Sequence, residues 1–507
     1  MSNLSSTETA FQPGNPDLAA KRALKRLGAD PKNWVLPRPG VDWDVFIIGG
    51  GQVGVTSAFR LRRIGISNIT VIDGAEADRV GVWLTKARMV TLRTPKAATG
   101  PEIGIADLNF QTWYETLHGE AAYAAIGRIA RTDWAEYLKW FHRMVDVPVR
   151  YRTRLLRIEP ADGHFRLHLV ADGVEKIETA RKIILANGVI GCGSLYTPSL
   201  VSDNLPKHLY AHTDDEIDFA KLKGKSIAIL GAATSAFDAA AVALEGGAEE
   251  VHLFYHRPDL AGAVNKAGGG MAARNFAGIH DNFHLLPDAD RWTLHFQQGK
   301  AGAGIPFDSV LRAARFKNFY LHFSAPWNAV RENDGKVAIE AGDGSFLFDF
   351  AIVATGYQYD PQGRPELQDF APEIALWRDR YEPPAEEASE KMGLFPYLGP
   401  AYEFVEREPG RAPYLKDIHS YNSSGRLSFG RPVGDVPGLN TEIPRLVSAI
   451  SRDLFFADSE AHLRRLTNPS AAPSTQPAAP PEFDRSKYEH AIWRPSRPAV
   501  ENSPTAV

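Results

Sequence analysis

Asp44-Val45-Phe46-Ile47-Ile48-Gly49-Gly50-Gly51-Gln52-Val53-Gly54 begins as an apolar run, turns on glycines and leads into a stretch of small residues. Gly49, Gly51 and Gly54 fit the G-x-G-x-x-G pattern of a dinucleotide-binding βαβ unit. The first glycine permits a tight turn, the second lets backbone approach a pyrophosphate, and the third lets helix and strand pack closely. The helix read over Val55 to Ile64 presents unpaired N–H groups and its positive dipole end to the phosphates, and Gln52, within the turn, is a further candidate for the cofactor site. The next apolar run, Ile69 to Ile72, ends in Asp73. A carboxylate there accepts hydrogen bonds from ribose hydroxyls and repels a 2′-phosphate, so this unit suits FAD or NAD and not NADP.

The same grammar returns at Ser226-Ile227-Ala228-Ile229-Leu230-Gly231-Ala232-Ala233-Thr234-Ser235-Ala236. Gly231 keeps the first place, while Ala233 and Ala236 fill the second and third. Thr234 and Ser235 stand where a helix begins, and their hydroxyls can cap backbone N–H groups or meet phosphate. The strand Val251 to Tyr255 ends in His256-Arg257-Pro258, without an acid. A guanidinium at Arg257 can hold a 2′-phosphate in bidentate fashion, which favours NADPH over NADH; the plainer reading is a solvated charge at a strand end. Two such units in one polypeptide imply two dinucleotides, and that pairing points to a flavin reduced by a nicotinamide.

Composition sets limits on this. The 507 residues carry a formal charge of −4, 44% hydrophobic and 23% charged residues, ordinary values for a globular protein. No basic block suits nucleic acid, and no apolar run approaches the roughly 20 residues of a membrane helix. Met1 to Asn15 lacks a signal-peptide core, so a cytoplasmic protein is expected. The single cysteine, Cys192, rules out an intramolecular disulfide as electron acceptor and reads as a packed small residue. His280, His284, His295 and His322 lack metal-ligand spacing.

The expected fold is α/β, with two Rossmann-like dinucleotide-binding domains, the NADPH domain inserted in the FAD domain, and a flexible C-terminal tail. In order these are an N-terminal extension (1–42), the first segment of the FAD domain (43–206), the NADPH domain (207–347), the second segment of the FAD domain (348–465) and the tail (466–507). Leu18 to Leu27 reads as a basic helix. Asp133 to Val145 reads as an amphipathic helix with Trp134, Tyr137, Leu138, Phe141 and Met144 on a core-facing stripe. The middle of the second domain, Ala261 to Ser324, reads as irregular. Asp349 to Tyr357 is expected to return the chain to the first domain. Phe483, Tyr488 and Trp493 stand out as aromatics in the tail.

These elements, in this order, resemble the class B flavoprotein monooxygenases: flavin-containing, N-hydroxylating and Baeyer–Villiger monooxygenases. The most specific elements are the two nucleotide turns and Ala354-Thr355-Gly356-Tyr357, which is similar to the Ala-Thr-Gly-Tyr stretch of N-hydroxylating members. Met89-Val90-Thr91-Leu92-Arg93-Thr94-Pro95 resembles a segment that lies beside the flavin in ornithine and lysine N-hydroxylases. By that resemblance Arg93 is a candidate to touch the flavin edge or a substrate carboxylate, with a structural ion pair as the alternative. Trp83 is a candidate to line the isoalloxazine ring, or simply to pack. Gly434-Asp435 and Pro437-Gly438-Leu439-Asn440, before a helix, resemble the flavin-binding end of the fold. Asp435 and Leu439 are therefore cofactor-site candidates, as are Thr355 and Gly356. The Phe, Gly, Trp and Pro of the Baeyer–Villiger fingerprint are absent around His212.

The resemblance implies an FAD-containing, NADPH-dependent monooxygenase that forms a C4a-(hydro)peroxyflavin and inserts one oxygen atom from O2 into a small organic substrate. Amine N-hydroxylation is the leading expectation. Baeyer–Villiger oxidation of a ketone and a non-catalytic flavin-binding redox sensor are the alternatives, and oligomeric state is left open.

Overall fold

Two parallel sheets, each built on one of the two glycine turns, share a single plan. The structure is a computed structural model that describes residues 13–98, 100–260, 264–265, 277–301, 304–342, 344–467 and 484–493. The first sheet contains β1 (Trp43–Ile48), β2 (Ile69–Ile72), β3 (Val149–Arg150), β4 (Thr153–Ala161), β5 (His164–Ala171) and β6 (Val174–Leu185) in the order β3-β2-β1-β6-β5-β4. The first half of β6 closes an antiparallel meander with β4 and β5. Its second half runs parallel to β1, in register Ile48 to Leu185, and the short strand Ile418–His419 adds to it.

The second sheet repeats this. It orders β10 (Phe319–His322), β9 (Glu250–Phe254), β8 (Ser226–Leu230), β14 (Phe350–Val353) and β7 (Tyr210–His212), all parallel. A meander of β11 (Trp327–Asn333), β12 (Lys336–Ala341) and β13 (Gly344–Phe348) precedes its return strand. The kinship visible in sequence only at the two turns thus extends through strand, crossover helix, strand, meander and return strand.

Both parallel cores read as continuous apolar runs because both sheet faces are covered. Val45, Phe46, Ile47, Ile227, Ala228 and Ile229 are wholly buried. The helix Gln52–Arg63 lies on the first sheet and Thr234–Glu245 on the second. The helix Arg131–Val145 buries Trp134, Tyr137, Leu138, Phe141 and Met144, as its periodicity indicates. The extension contains a packed helix among its described residues. Asn15 caps the helix Pro16–Arg26, and Asp17 on that helix accepts from the Trp140 indole at 2.9 Å and pairs with Arg143 at 3.0 Å.

Two expectations change. The stretch from Asp349 is the return strand of the second sheet, paired with β8 and β7, so the crossover to the first domain falls after Val353 and not before Asp349. The apolar run reads equally as the core of either sheet, and only its partners decide. The region Ala261 to Ser324 lies partly outside the described residues. Its described portion is regular, with helices Asp288–Ala301 and Phe307–Ala314; the second has one face buried through Ser309, Val310 and Ala313. Glycine richness at its start masked the helical spacing that follows. The helix Leu439–Ala457 includes Pro444 and buries Leu439, Ile443, Leu446 and Ile450.

Phe455 onward forms a small second unit. It contains the helix Ser459–Thr467, so the beginning of the expected tail is helical, and two short turns that flank Tyr488. Trp493 is exposed, while residues 468–483, Phe483 among them, and 494–507 lie outside the described residues. No helix among the described residues is long and apolar enough to cross a membrane.

The third glycine of the first turn sets the closest approach in this core. A Cβ on Gly54 would lie 1.9 Å from the Gly49 carbonyl oxygen, against rigid backbone. Gly54→Ala is therefore expected to lower stability by about 2–4 kcal/mol through forced separation of helix and strand, measured as a fall in Tm and in the denaturation midpoint.

Candidate functional site

The C-terminal ends of β1, β2 and β6 open onto a cavity of about 860 Å³, the place where open α/β sheets hold ligands. Its floor is the first glycine turn. Gly49, at φ 112°, is held so close to the end of β6 that a Cβ would meet the Ala186 carbonyl oxygen at 2.3 Å. Gly51 is the opposite case: a Cβ there meets nothing within 4 Å. Gly51 lines the cavity and is the N-cap of the helix Gln52–Arg63, which has no side-chain cap. Bare backbone N–H groups and the positive dipole end therefore face open space, a cradle suited to a pyrophosphate.

Asp73 also lines this cavity. One oxygen accepts from Gly50 N–H and the other from Ala75 N–H, each at 2.8 Å. These bonds fix the carboxylate at the mouth of the turn and leave it further lone pairs for ribose hydroxyls. Gln52 ties the opposite wall. Its amide donates to the Gly434 carbonyl at 3.2 Å and accepts from the Trp134 indole at 3.4 Å. Trp83 lines the cavity and stands edge-on to Trp134, with ring centroids 6.4 Å apart.

The far wall comes from residues 421–436. Asp435 caps the turn Val436–Gly438 through the Gly438 N–H, and its carboxylate pairs with Arg431. Leu439 is wholly buried core and is not in the wall. Asn187, Tyr421 and Asn422 are wall residues that sequence reading missed. Asn422 donates to the Leu185 carbonyl and the Asn187 amide oxygen, at 3.1 and 3.2 Å, and so pins the end of β6. The signal for it is indirect: a Cβ on Gly191 would sit 2.1 Å from the Asn422 amide oxygen, so that glycine makes room for it.

The second turn gathers Gly231, Thr234, Ser235, His256 and Arg257 at the ends of β8 and β9. Gly231, at φ 104°, lies against the Ala354 carbonyl, 2.7 Å from where its Cβ would be. Thr234 is buried with its hydroxyl toward the Gly304 carbonyl at 3.4 Å, while Ser235 is exposed at the helix start. His256 is exposed, and half-buried Arg257 donates to the Lys300 carbonyl at 3.1 Å.

Arg93 is not among the residues lining the large cavity. Its guanidinium pairs with Asp238 of the second domain at 2.8 Å, and the other Asp238 oxygen accepts from Ser309 at 2.9 Å. This is the structural ion pair, one of several links between the 79–93 segment and the second domain. Lys86 meets Asp214 at 3.0 Å, Arg88 donates to the Thr213 and Asp215 carbonyls, and Arg312 donates back to the Arg88 carbonyl at 2.6 Å.

Thr355 and Gly356 lie at the crossover and not in the cavity wall: the Thr355 hydroxyl donates to the Tyr196 carbonyl, and the Gly356 carbonyl accepts from Tyr196 N–H at 3.0 Å. His212 belongs to the same junction. Its Nδ1 lies 3.0 Å from the Asp214 N–H, which it accepts, so Nε2 carries the proton that goes to the Gly356 carbonyl at 3.0 Å. Burial lowers its pKa and keeps the ring neutral. Its work is to hold a crossover.

A family model described as pyridine nucleotide-disulphide oxidoreductase matches residues 46–267, across both glycine turns. The FAD-dependent urate hydroxylase of Xanthomonas campestris pv. campestris is 38% identical over 448 residues, 87% of this chain and 93% of that protein. The chain belongs to this family of flavin-dependent monooxygenases. Solved structures agree on the fold. The ornithine hydroxylase of Pseudomonas aeruginosa superposes with TM-score 0.64 at 15% identity, covering 81% of this chain and 99% of that one. The L-lysine 6-monooxygenase of Pseudomonas syringae gives 0.63 at 18%, covering 81% and 99%. The flavin-containing monooxygenase of Stenotrophomonas maltophilia gives 0.52 at 18%, covering 81% and 98%.

Two substitutions separate the roles of these residues. Gly51→Val points a branched side chain into open cavity, so the monooxygenase is expected to fold with near-native Tm and to purify without FAD; full flavin content would remove the turn from the cofactor site. Arg93→Ala leaves the Asp238 carboxylate buried without its cation. It is expected to cost about 1–2 kcal/mol, discounted because the arginine is partly solvated, with FAD content unchanged in the absorption spectrum.

Proposed function

We propose that this protein holds FAD in the large cavity, takes NADPH at the second turn, and hydroxylates a small nitrogen-rich heterocycle of the urate type. The observation that carries the cofactor assignment is the contrast within one motif. Gly49 and Gly54 are glycines because backbone crowds them, while Gly51 is open toward the cavity. That is what a pyrophosphate needs and a plain turn does not.

Bound FAD supplies hydride acceptance and dioxygen activation, which the amino acid side chains do not provide. The chain's own residues bind, orient and exclude water. The Gly51 turn and helix end hold the phosphates, Asp73 the ribose, and Trp83, Gln52 and the Gly434–Asp435 turn enclose the rest. For NADPH, Gly231, Thr234 and Ser235 form the phosphate turn, and Arg257 meets the 2′-phosphate. The ion pairs of Lys86 and Arg93, with the Arg88 hydrogen bonds to the Thr213 and Asp215 carbonyls, keep the two nucleotide sites at fixed distance, as transfer between them requires.

The substrate class follows from two points. An amine substrate calls for Arg93 as a carboxylate anchor, and that guanidinium is engaged by Asp238. The relative with 38% identity over most of the chain is a urate hydroxylase. Amine N-hydroxylation remains the second reading, supported by the Ala354-Thr355-Gly356-Tyr357 stretch. Urate, ornithine, lysine and a cyclic ketone supplied separately with NADPH and air decide between them. Coupled NADPH consumption with hydroxylated product from urate alone is expected. A hydroxylamine from ornithine or lysine, or an ester or lactone from the ketone, would overturn the urate assignment. Flavin that NADPH fails to bleach would point to a redox sensor.

Arg257→Ala should raise KM for NADPH about tenfold or more and leave KM for NADH within about twofold, the loss expected for a charge-assisted phosphate contact. Equal effects on both coenzymes would place Arg257 outside the phosphate site.

A further inference from the structure

Behind the wall of the cavity sits an acid whose place neither the glycine turns nor the family relationship explains. Glu442 lies in the first turn of the helix Leu439–Ala457, where the dipole favours negative charge. Yet it is only 1% exposed. Its Oε2 accepts from the Gly434 N–H at 3.0 Å and from the Tyr421 hydroxyl at 3.1 Å. Gly438 leaves room for it, since a Cβ there would come 2.4 Å from Oε1.

The charged and titratable groups around it come from several segments. Arg431 approaches Oε1 to 3.7 Å but spends its guanidinium on Asp435 and His280. Asp435 adds a second negative charge across the turn; Tyr421 and Tyr402 face the same pocket, and Arg445 stands on the same helix. Burial and then Asp435 push the Glu442 carboxyl up to about 7, while Arg431, the Gly434 N–H and Tyr421 pull the other way. The other side of the Gly434–Asp435 turn is cavity wall, tied to Gln52.

We propose that Glu442 is a positioning residue for the flavin: through its hydrogen bond it holds the Gly434–Asp435 wall in place, and through its charge it sets the electrostatic potential at that end of the cavity. The proposal rests on FAD occupying this cavity. An ionised carboxylate one hydrogen bond behind the wall opposes the arrival of electrons on the flavin, and a neutral carboxyl does not. Reduction is therefore easier on the acid side of neutrality than the flavin alone would make it.

The experiment is the two-electron midpoint potential of the bound flavin as a function of pH, in the full-length holoprotein and in Glu442→Gln, which keeps an acceptor for Gly434 but no charge. Above neutral pH the wild-type potential should lie below that of the variant by about tenfold in the ratio of reduced to oxidised flavin, about 30 mV. Below neutral pH the two curves should converge. A Glu442 that is merely a buried helix cap predicts coincident curves at every pH, and that result overturns the proposal. Should Glu442→Gln fail to fold, Tyr421→Phe removes a donor that favours the charged form. The bend in the potential curve should then move to higher pH, and an unmoved bend overturns the proposal equally. A protein that binds no FAD defeats the flavin reading and this inference together, whereas FAD retained with coincident curves defeats this inference alone.

Discussion

The packing of Gly49 against the Ala186 carbonyl on one side and of its own carbonyl against Gly54 on the other is the constraint on which the rest depends. These contacts lock the end of β1 to the end of β6 and to the helix Gln52–Arg63. The cavity exists because three elements converge there and then diverge, leaving backbone N–H groups exposed to a space that no side chain fills. Everything that lines it is placed relative to that junction: Asp73 through the Gly50 N–H, Gln52 as the first helical residue, and the 421–436 wall through Asn422 and Gln52.

Much of this was legible in sequence because it is local. A glycine that must adopt positive φ or admit a neighbouring backbone leaves a mark at a fixed spacing, and so does an acid at the end of the next strand. The aromatic stripe of Arg131–Val145 was legible for the same reason. What escaped depends on distant partners. Asp349 to Val353 has the composition of a buried strand in either sheet, and only pairing with β8 shows which. Arg93 sits in a segment similar to one beside the flavin, yet its direction is set by Asp238, far along the chain. Asn422 and Glu442 carry no local signature, because what marks each is a small residue elsewhere: Gly191 admits the Asn422 side chain and Gly438 that of Glu442.

The interdomain contacts form a coherent electrostatic seam. Lys86, Arg88 and Arg93 lie on one segment of the first domain and reach Asp214, the Thr213 and Asp215 carbonyls, and Asp238 on the second. Partly buried pairs of this kind contribute modestly to net stability, because desolvation offsets much of the attraction. Their directional geometry contributes more to specificity: they fix one rotation of the second sheet relative to the first. A hydride passing between two nucleotides tolerates little misplacement, so a seam rich in directed charges serves this architecture better than a greasy interface of equal area.

The two turns also differ in a way that suits two kinds of tenancy. In the first, Gly54 allows the helix to approach until no methyl group fits, and Gly51 leaves the phosphate path bare. In the second, Ala236 is wholly buried and Ala233 stands at the N-cap of the helix Thr234–Glu245, so both places carry a methyl group where the first turn has none. A methyl group beside the turn restricts how closely a pyrophosphate can approach the backbone N–H groups, and a longer hydrogen bond is a weaker one. Weaker contact is a defect for a resident flavin, which must survive every turnover. It is an advantage for a nicotinamide coenzyme, which must leave once its hydride is gone. The alanines of the second turn thus carry information of their own: the first turn leaves its backbone open to close approach, and the second carries two methyl groups where the first has none.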